Sequence, residues 1–524
     1  MSERPARAPR RLGELVRLLE ARGMLRGLAA GALSGDSLIT GVEHDSRAAS
    51  AGDLFVAVPG ARADGHDFAA AAAAGGAVAI IGERAVAGLA VPQLLVGDAR
   101  AALALASAWL HGFPSRDLGV IGVTGTDGKT STSFMLRAML EACGRQTGLL
   151  TTVTVIAGGK VIGGSRATTP EAPVLQAALA AMRDAGDDFA IVESTSHGLA
   201  QQRVGEVAYD IAVLTNLSHE HLEFHRTFDA YRAAKRRLFE ALAVGDANPD
   251  KGLGKWAIVN RDDAVAGDFA GAAADAGAQV IGYGTAASAD IQATRIAESA
   301  GGLTMGVRTT RWEAEVRLQM AGRFNAHNAL AAISVGEALG LEPEGMRGGL
   351  EGLAGVPGRM ERIVAGQPFG VVVDYAHTPD SLAKVLDNLA PGAAAAGGGL
   401  VCVFGSAGER DTLKRPMMGA VAGERCRLLV LTDEDPRGED RLAILREIAA
   451  GATSVGRSEG RDVRLVPERR EAIRLAFESA APADVVVLCG KGHESTIEMA
   501  AGPVPWDEAR VAREVLAELG YGEV

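Results

Sequence analysis

Gly122-Val-Thr-Gly-Thr-Asp-Gly-Lys-Thr-Ser-Thr132 gathers glycines, one lysine and several hydroxyl side chains into one short stretch. Glycine backbones can turn their N–H groups onto phosphate oxygens, and a helix N-terminus behind them adds partial positive charge. Lys129 can reach terminal phosphates, and the Thr130 hydroxyl can ligate a magnesium ion. The strict Walker spacing would put a glycine at position 123, where Val123 stands. A tight turn with an incidental lysine is the plainer reading, but Gly128-Lys-Thr130 directly behind a strand favours phosphate binding. Glu193 and Ser218-His-Glu-His-Leu-Glu-Phe-His225 also carry chemistry. Magnesium is a hard cation that prefers oxygen, so Glu193 suits it better than a histidine does. On spacing alone, the histidine-rich stretch reads equally well as solvated surface.

These residues need a frame that holds them together. The apolar run Leu118 to Val123 predicts a buried parallel strand, and Leu136, Met139, Leu140 and Cys143 recur at helical spacing behind the turn. Phe189 to Val192 is apolar and ends at Glu193; Ile211 to Leu214 ends near Thr215-Asn216; Ala257 to Val259 leads to Asn260. Such alternation predicts a parallel sheet with crossover helices, whose ligands collect at the C-terminal strand ends. Leu303 to Leu318 alternates as a short hairpin would, and Asn325 to Leu339 reads as a helix.

At 524 residues the chain is too long for one ordinary core, and about three domains are expected. The boundaries fall at 1–115, 116–344 and 345–524. The formal charge of −12 argues against a nucleic-acid partner. No apolar run is long enough to span a bilayer, and Met1 to Arg11 lacks the apolar segment of a signal peptide. Cys143, Cys402, Cys426 and Cys489 show no paired spacing and read as core residues of a reduced, cytosolic protein.

In the first unit, Leu12 to Leu28 has helical periodicity, Phe68 to Ala74 predicts a helix closed by Gly75-Gly76, and Ala77 to Ile81 a strand. Asp45-Ser46-Arg47 by itself reads as an Asx-type turn. The third unit repeats the α/β pattern, with apolar runs Val371–Val373, Val401–Phe404, Leu428–Leu431, Val463–Val466 and Val485–Leu488. Between them Ala390 to Gly399, low-complexity Ala/Gly with a proline, is expected to be a mobile loop. No internal repeat is visible.

Gly122 to Thr132, Glu193-Ser-Thr-Ser-His-Gly-Leu199, Asn216-Leu-Ser-His-Glu-His-Leu222 and Tyr231-Arg-Ala-Ala-Lys235 together resemble the ATP-dependent Mur ligases. Gly322-Arg-Phe-Asn-Ala-His-Asn328, Gly358-Arg-Met360 and Asp374-Tyr-Ala-His-Thr-Pro379 extend the match. Asp45 to Arg47, Thr168-Thr-Pro-Glu171, Gln201 to Val204, Asp433-Glu-Asp-Pro-Arg437 and Gly490-Lys-Gly-His-Glu494 point to the tripeptide-synthetase branch. The resemblance implies three α/β domains: an N-terminal UDP-binding domain, a central phosphate-loop ATPase domain with a parallel sheet, and a Rossmann-like C-terminal domain for the amino acid. It implies a cytoplasmic, monomeric ligase of peptidoglycan precursor synthesis, with no nucleic-acid or membrane partner. Such an enzyme joins a diamino acid to UDP-MurNAc-L-Ala-D-Glu through an acyl phosphate, using ATP and Mg2+. Sister ligases, such as folylpolyglutamate synthase or the enzyme adding D-Ala-D-Ala, and a non-catalytic nucleotide-binding partner are the alternatives.

By resemblance, Gly125, Thr126, Asp127, Gly128, Lys129, Thr130 and Ser131, with Asn325, Asn328, Arg359, Asp374 and His377, would bind ATP. Thr130, Glu193, His221 and Lys235 would hold magnesium, the last as a carbamate; Lys129, His221 and Lys235 would be catalytic. Ser46, Ala61, Arg62, Ala63, Thr168, Thr169, Thr195, Gln201 and Arg203 would face the UDP-sugar-peptide. Arg410, Glu434, Asp435, Pro436, Arg437, Gly490 and Glu494 would receive the amino acid. Asp127 stands where Asn is common, Glu220 replaces an Asp, and Ala167 replaces an Asn or Arg. Asp435 stands where diaminopimelate-adding enzymes carry Asn. If Asp435 pairs with Arg437, the clamp for a distal carboxylate is neutralised and lysine or ornithine is expected; if Arg437 stays free, diaminopimelate fits. The added charge favours the carboxylate-free amine.

Overall fold

The computed structural model describes residues 8–29, 37–60, 63–163, 168–218, 222–243, 251–299 and 302–522. The chain divides into two compact units. The first holds residues 1–292, 308–312 and 327–349, and the second 293–307, 313–326 and 350–524.

The first unit is built on two large sheets, beside a two-stranded ladder of Arg10–Arg11 with Leu38–Ile39. A five-stranded sheet runs in the order Leu25–Ala29, Gln93–Val96, Ala79–Gly82, Asp53–Val56, Gly41–Glu43. Its strands are parallel except for the edge strand Leu25–Ala29. The helix expected over Leu12 to Leu28 stops at Ala21. Gly23 takes a left-handed backbone at φ +65°, and Met24 N–H closes on Leu19 O at 2.9 Å, so the chain leaves the helix there and enters the edge strand. The remaining helix buries Leu12, Leu15 and Leu19 against Leu103 and Trp109 of the helix Ala99–Leu110. The alanine run forms the helix Ala69–Ala74 behind a 3₁₀ turn, as its propensity predicts.

The main sheet places Thr147–Leu150, Phe189–Glu193, Gly119–Thr124, Ile211–Leu214, Trp256–Asn260 and Gln279–Gly284 side by side and parallel. Register matters more than order here. Glu193 pairs with Val123, and Leu214 with Thr124, so three strands end at one level beside the glycine-rich turn. Val120, Val192, Leu214 and Val259 are fully buried in one core. Each such side chain contributes about 1.5–3 kcal/mol.

The second unit carries a doubly wound sheet in the order Glu361–Arg362, Gly370–Asp374, Val485–Cys489, Leu400–Phe404, Leu428–Leu431, Val463–Leu465. All neighbours are parallel except the first pair. Side chains alternate between two cores: Val372, Cys402, Phe404 and Val487 face one, while Val371, Val401, Val403 and Val486 face the other. Cys402, Cys426 and Cys489 are buried free thiols, and Cys143 is half-buried. The strands Gly302–Arg308, which belongs to this unit as far as Val307, and Glu313–Leu318 alternate in burial as expected.

The loop expected over Ala390 to Gly399 is confined to its end, the turn after Ala395. Ala390 to Ala395 forms the last part of the helix Pro379–Ala395, which continues through Pro391. Alanine is the best helix former, and Ala393 is buried in the core beneath, so packing outweighs the one N–H that proline removes.

Arg415 is wholly buried and makes hydrogen bonds to Glu439 at 2.7 and 2.8 Å and to Glu447 at 2.9 Å. The Arg415 hydrogen bond lowers the Glu439 carboxyl from 4.5 to about 2. A depressed carboxyl stabilises the fold above its unfolded value, and that gain is lost as pH falls toward the folded value. Glu439→Gln should therefore be less stable than wild type near neutrality, with the gap closing between about pH 4.5 and 2 in thermal melts. A gap that does not change across that window would contradict this.

Candidate functional site

In the first unit the strand Gly119–Thr124 ends in the turn 125–128, and the helix Lys129–Ala142 begins at once, with Gly128 as its N-cap at φ +82°. Lys129 Nζ donates to the carbonyls of Gly125 at 3.0 Å and Thr126 at 2.7 Å. The ammonium thus sits over the turn, where a phosphate oxygen can compete for it. The turn is braced from the neighbouring strand end: Asp127 N–H donates to Asn216 Oδ1 at 3.0 Å, and Thr215 Oγ1 to Asp127 O at 2.6 Å. Asp127 itself is exposed. Thr132 Oγ1 reaches Asn328 Oδ1 at 3.3 Å, tying the helix to the one that carries Asn328.

The strand register brings Glu193 under Thr130. Thr130 Oγ1 lies 3.1 and 3.2 Å from the two Glu193 carboxylate oxygens, and Thr152 N–H donates to one of them at 3.2 Å. Glu193 is 1% exposed, and among the described residues it makes no ion pair. A buried carboxylate with only neutral donors calls for a cation, and a hydroxyl beside a carboxylate is the oxygen donor set that magnesium takes. Thr130 and Glu193 therefore fit that ion. Among the described residues no three acidic, histidine or cysteine side chains converge as a preformed metal cage. His221, like Ala61 and Arg62, lies outside the described residues, as do Ala167 and Glu220.

Lys235 is 1% exposed on the helix Phe228–Glu240. Its Nζ donates to Gly125 O at 2.7 Å and stands 4.7 Å from the Tyr231 ring centre. The Tyr231 hydroxyl lies 3.0 Å from Thr126 Oγ1. Two lysines thus converge on the Gly125 carbonyl. Sequence reasoning quoted Tyr231 only as part of a motif and gave Thr152 no part. Their signal was position: Tyr231 precedes Lys235 by one helical turn, and Thr152 follows a strand end.

A second group lies at the same strand ends. Thr169 Oγ1 donates to Glu193 O at 2.8 Å and accepts from Thr195 N at 3.0 Å. Arg203 donates to Thr169 O at 2.9 Å and to Gln201 Oε1 at 2.8 Å, and pairs with Glu171 at 2.9 Å. Thr168 joins through Thr152 Oγ1 at 2.7 Å. The structure thus brings Thr168, Thr169, Thr195, Gln201 and Arg203 together beside Glu193. Ser46 sits in a turn where Asp45 accepts Arg47 N at 3.0 Å and Arg47 Nη2 at 2.6 Å, the expected Asx geometry; the Arg47 bond lowers the Asp45 carboxyl to about 2. Ala63 is exposed, its O accepting Gly60 N at 3.0 Å.

The second unit holds Asn325, Arg359, Asp374 and His377. Asn325 Nδ2 donates to Ala321 O at 2.6 Å. Asp374 accepts the N–H groups of Met360 and Ala376, both at 2.8 Å, and burial pushes its carboxyl up against the pull of nearby Arg359. Arg359 lies over the Tyr375 ring at 4.8 Å, and the His377 ring is 4.6 Å from Tyr375.

The same unit fixes the loops after Leu431 and Cys489 with one buried arginine. Arg469 donates to Asp433 O at 2.9 Å and Cys489 O at 2.8 Å, and Glu508 balances its charge at 2.6 Å. Those loops carry Glu434 to Arg437 and Gly490 to Glu494. The expected pairing of Asp435 with Arg437 does not occur. Asp435 Oδ1 accepts Lys491 Nζ at 2.7 Å and Glu498 N at 3.0 Å. Lys491 also pairs with Glu494 at 2.7 Å, whose carboxyl burial pushes up against the pull of that lysine. Among the described residues Arg437 makes no ion pair, so the reason for a carboxylate-free amine falls away. Glu434 and Pro436 are buried, Gly490 N donates to Asp374 O at 3.2 Å, and Arg410 is exposed on the loop after Phe404. Lys491 was visible in Gly490-Lys-Gly492 but had no role, because its partner Asp435 lies on another loop.

Family models match in three segments: a Mur ligase family catalytic domain over residues 38–106, a Mur ligase middle domain over 123–336 and a Mur ligase glutamate ligase domain over 358–492. The chain is 47% identical over 490 residues to a UDP-N-acetylmuramyl-tripeptide synthetase of Roseiflexus sp. (strain RS-1), covering 92% of this chain and 96% of that one. It is 40% identical over 484 residues to a UDP-N-acetylmuramoyl-L-alanyl-D-glutamate–2,6-diaminopimelate ligase of Bacillus velezensis, covering 92% and 95%. A solved structure of a ligase with that second name aligns at a TM-score of 0.64 and 30% identity, covering 94% of this chain and 97% of that one.

A Cβ at position 128 would lie 2.4 Å from Asn328 Oδ1, on a backbone at φ +82°. Left-handed backbone costs alanine about 1–2 kcal/mol. Gly128→Ala should weaken ATP binding roughly tenfold in calorimetric titration, with the far-ultraviolet circular dichroism unchanged. Unaltered ATP affinity would show that this turn is not the phosphate cradle.

Proposed function

This chain belongs to the Mur ligase family, and we propose that it adds 2,6-diaminopimelate to UDP-N-acetylmuramoyl-L-alanyl-D-glutamate. It is an ATP-dependent ligase of peptidoglycan precursor synthesis. A carboxylate is a poor electrophile, so the acceptor's D-glutamyl carboxylate first takes the γ-phosphoryl group. The incoming amine then attacks the acyl phosphate, and phosphate leaves from a tetrahedral intermediate. Two anions must be held against each other, so cations govern the rate.

The residues take the roles that the resemblance to the family implies. The N–H groups of 125–131 and the Lys129 ammonium hold the triphosphate, with Asn328 behind the turn and Asn325, Arg359, Asp374 and His377 serving the rest of the nucleotide. Thr130 and Glu193, with His221, would hold Mg2+, which would supply charge neutralisation of the phosphates. Lys235, if carried as a carbamate, would add an oxygen ligand. Ser46 and residues 61–63 serve the uridine; Thr168, Thr169, Thr195, Gln201 and Arg203 serve the sugar-peptide. Residues 1–115, 116–344 and 345–524 form the three domains of this division of labour. The enzyme acts in the cytoplasm as a monomer, on small molecules and not on nucleic acid; no described helix is long and apolar enough to cross a membrane.

The observation that carries the choice of amino acid is the Lys491–Asp435 pair at 2.7 Å. It leaves the Arg437 guanidinium for a distal carboxylate, which it can grip in a bidentate pair. Hydrogen bonds to charged groups contribute about 1.5–3 kcal/mol. In steady-state assays diaminopimelate should be used with a kcat/KM at least roughly tenfold above those of lysine and ornithine. Equal use, or preference for either simple diamine, would contradict the proposal.

A further inference from the structure

We infer that Lys491 selects the amino acid by holding the Asp435 carboxylate away from Arg437. The inference rests on the reading that Arg437 receives the distal group of the incoming amino acid. Asp435 and Arg437 are two residues apart on one loop, where opposite charges would ordinarily find each other. Two contacts prevent it. Asp435 Oδ1 is held by Lys491 Nζ at 2.7 Å and by Glu498 N–H at 3.0 Å. The Arg437 backbone is held separately: its N–H donates to Glu498 O at 2.8 Å, and its φ is +53°.

Lys491 is wholly buried. A lysine at that depth is kept only when paired, and it has two partners, Asp435 and Glu494, each at 2.7 Å. One ammonium thus serves two carboxylates. Without it, the Asp435 charge would keep a single backbone N–H, and its next source of compensation would be Arg437. The clamp would then be neutralised from within the protein. A substrate with a distal carboxylate would lose its partner, and a simple diamine would gain by comparison. Lys491 touches no reacting atom; it is a positioning residue whose effect is read in selectivity.

The test is a cycle on the full chain: wild type, Lys491→Met, Asp435→Asn and the double variant, each assayed for kcat/KM with diaminopimelate and with lysine. Lys491→Met should lower the diaminopimelate-to-lysine ratio about tenfold or more, one factor of ten being about 1.4 kcal/mol. In the Asp435→Asn background the same change should move the ratio by less than about twofold, because the carboxylate it releases is gone. Lys491→Arg should keep the wild-type ratio. An unchanged ratio in Lys491→Met, or an equal shift in both backgrounds, overturns the inference. If Lys491→Met does not fold, Asp435→Asn decides alone: the ratio must hold or rise, and a fall overturns the inference. A wild type that prefers lysine refutes the choice of diaminopimelate, whereas the Asp435-dependent shift tests Lys491 whatever that preference is.

Discussion

The pairing of Glu193 with Val123 across two parallel strands is the constraint on which the first unit depends. Thr130 stands at the head of the helix after the turn, and Glu193 at the tip of the adjacent strand. They meet at 3.1 Å only because the two strands end at the same level. A one-residue slip would turn Glu193 to the other face of the sheet. The apolar residues Val120, Ile191 and Val192, all fully buried, prevent that slip. The core thus sets the chemistry: it holds a carboxylate in a place where water cannot stabilise its charge and where a cation can.

The second unit solves a different problem, that of keeping several charges of both signs in two short loops without mutual collapse. Arg469 stands between the ends of the strands Leu428–Leu431 and Val485–Cys489, with Glu508 as its buried counter-charge. Trp506 Nε1 in turn donates to Glu508 at 2.6 Å. Breaking such a pair costs about 3–5 kcal/mol, so both loops are firmly anchored. Above that anchor, Lys491 divides its charge between Asp435 and Glu494.

Much of this was legible in the sequence, for local reasons. The turn 122–132, the buried strands and the acidic residue past a strand end are fixed by neighbours in the chain, and the structure has them. The alanine-rich stretch misled over 390–395, because low complexity suggested a loop while its composition favoured helix, and burial of Ala393 decided for helix. Periodicity over Leu12 to Leu28 ran through Gly23 because leucines of the edge strand fell by chance on the helical phase. The partner of Asp435 was beyond reach for another reason. The nearest cation in sequence is Arg437, whereas the one that binds it lies 56 residues on, and only the order of strands brings it there.

We propose that the turn closing at Lys129 presents a triphosphate whose last group is passed to a peptide carboxylate. The sharpest check is phosphate release measured with ATP and Mg2+. Release is expected only when UDP-N-acetylmuramoyl-L-alanyl-D-glutamate and a diamino acid are both present, and release at the same rate with ATP alone would rule the transfer out.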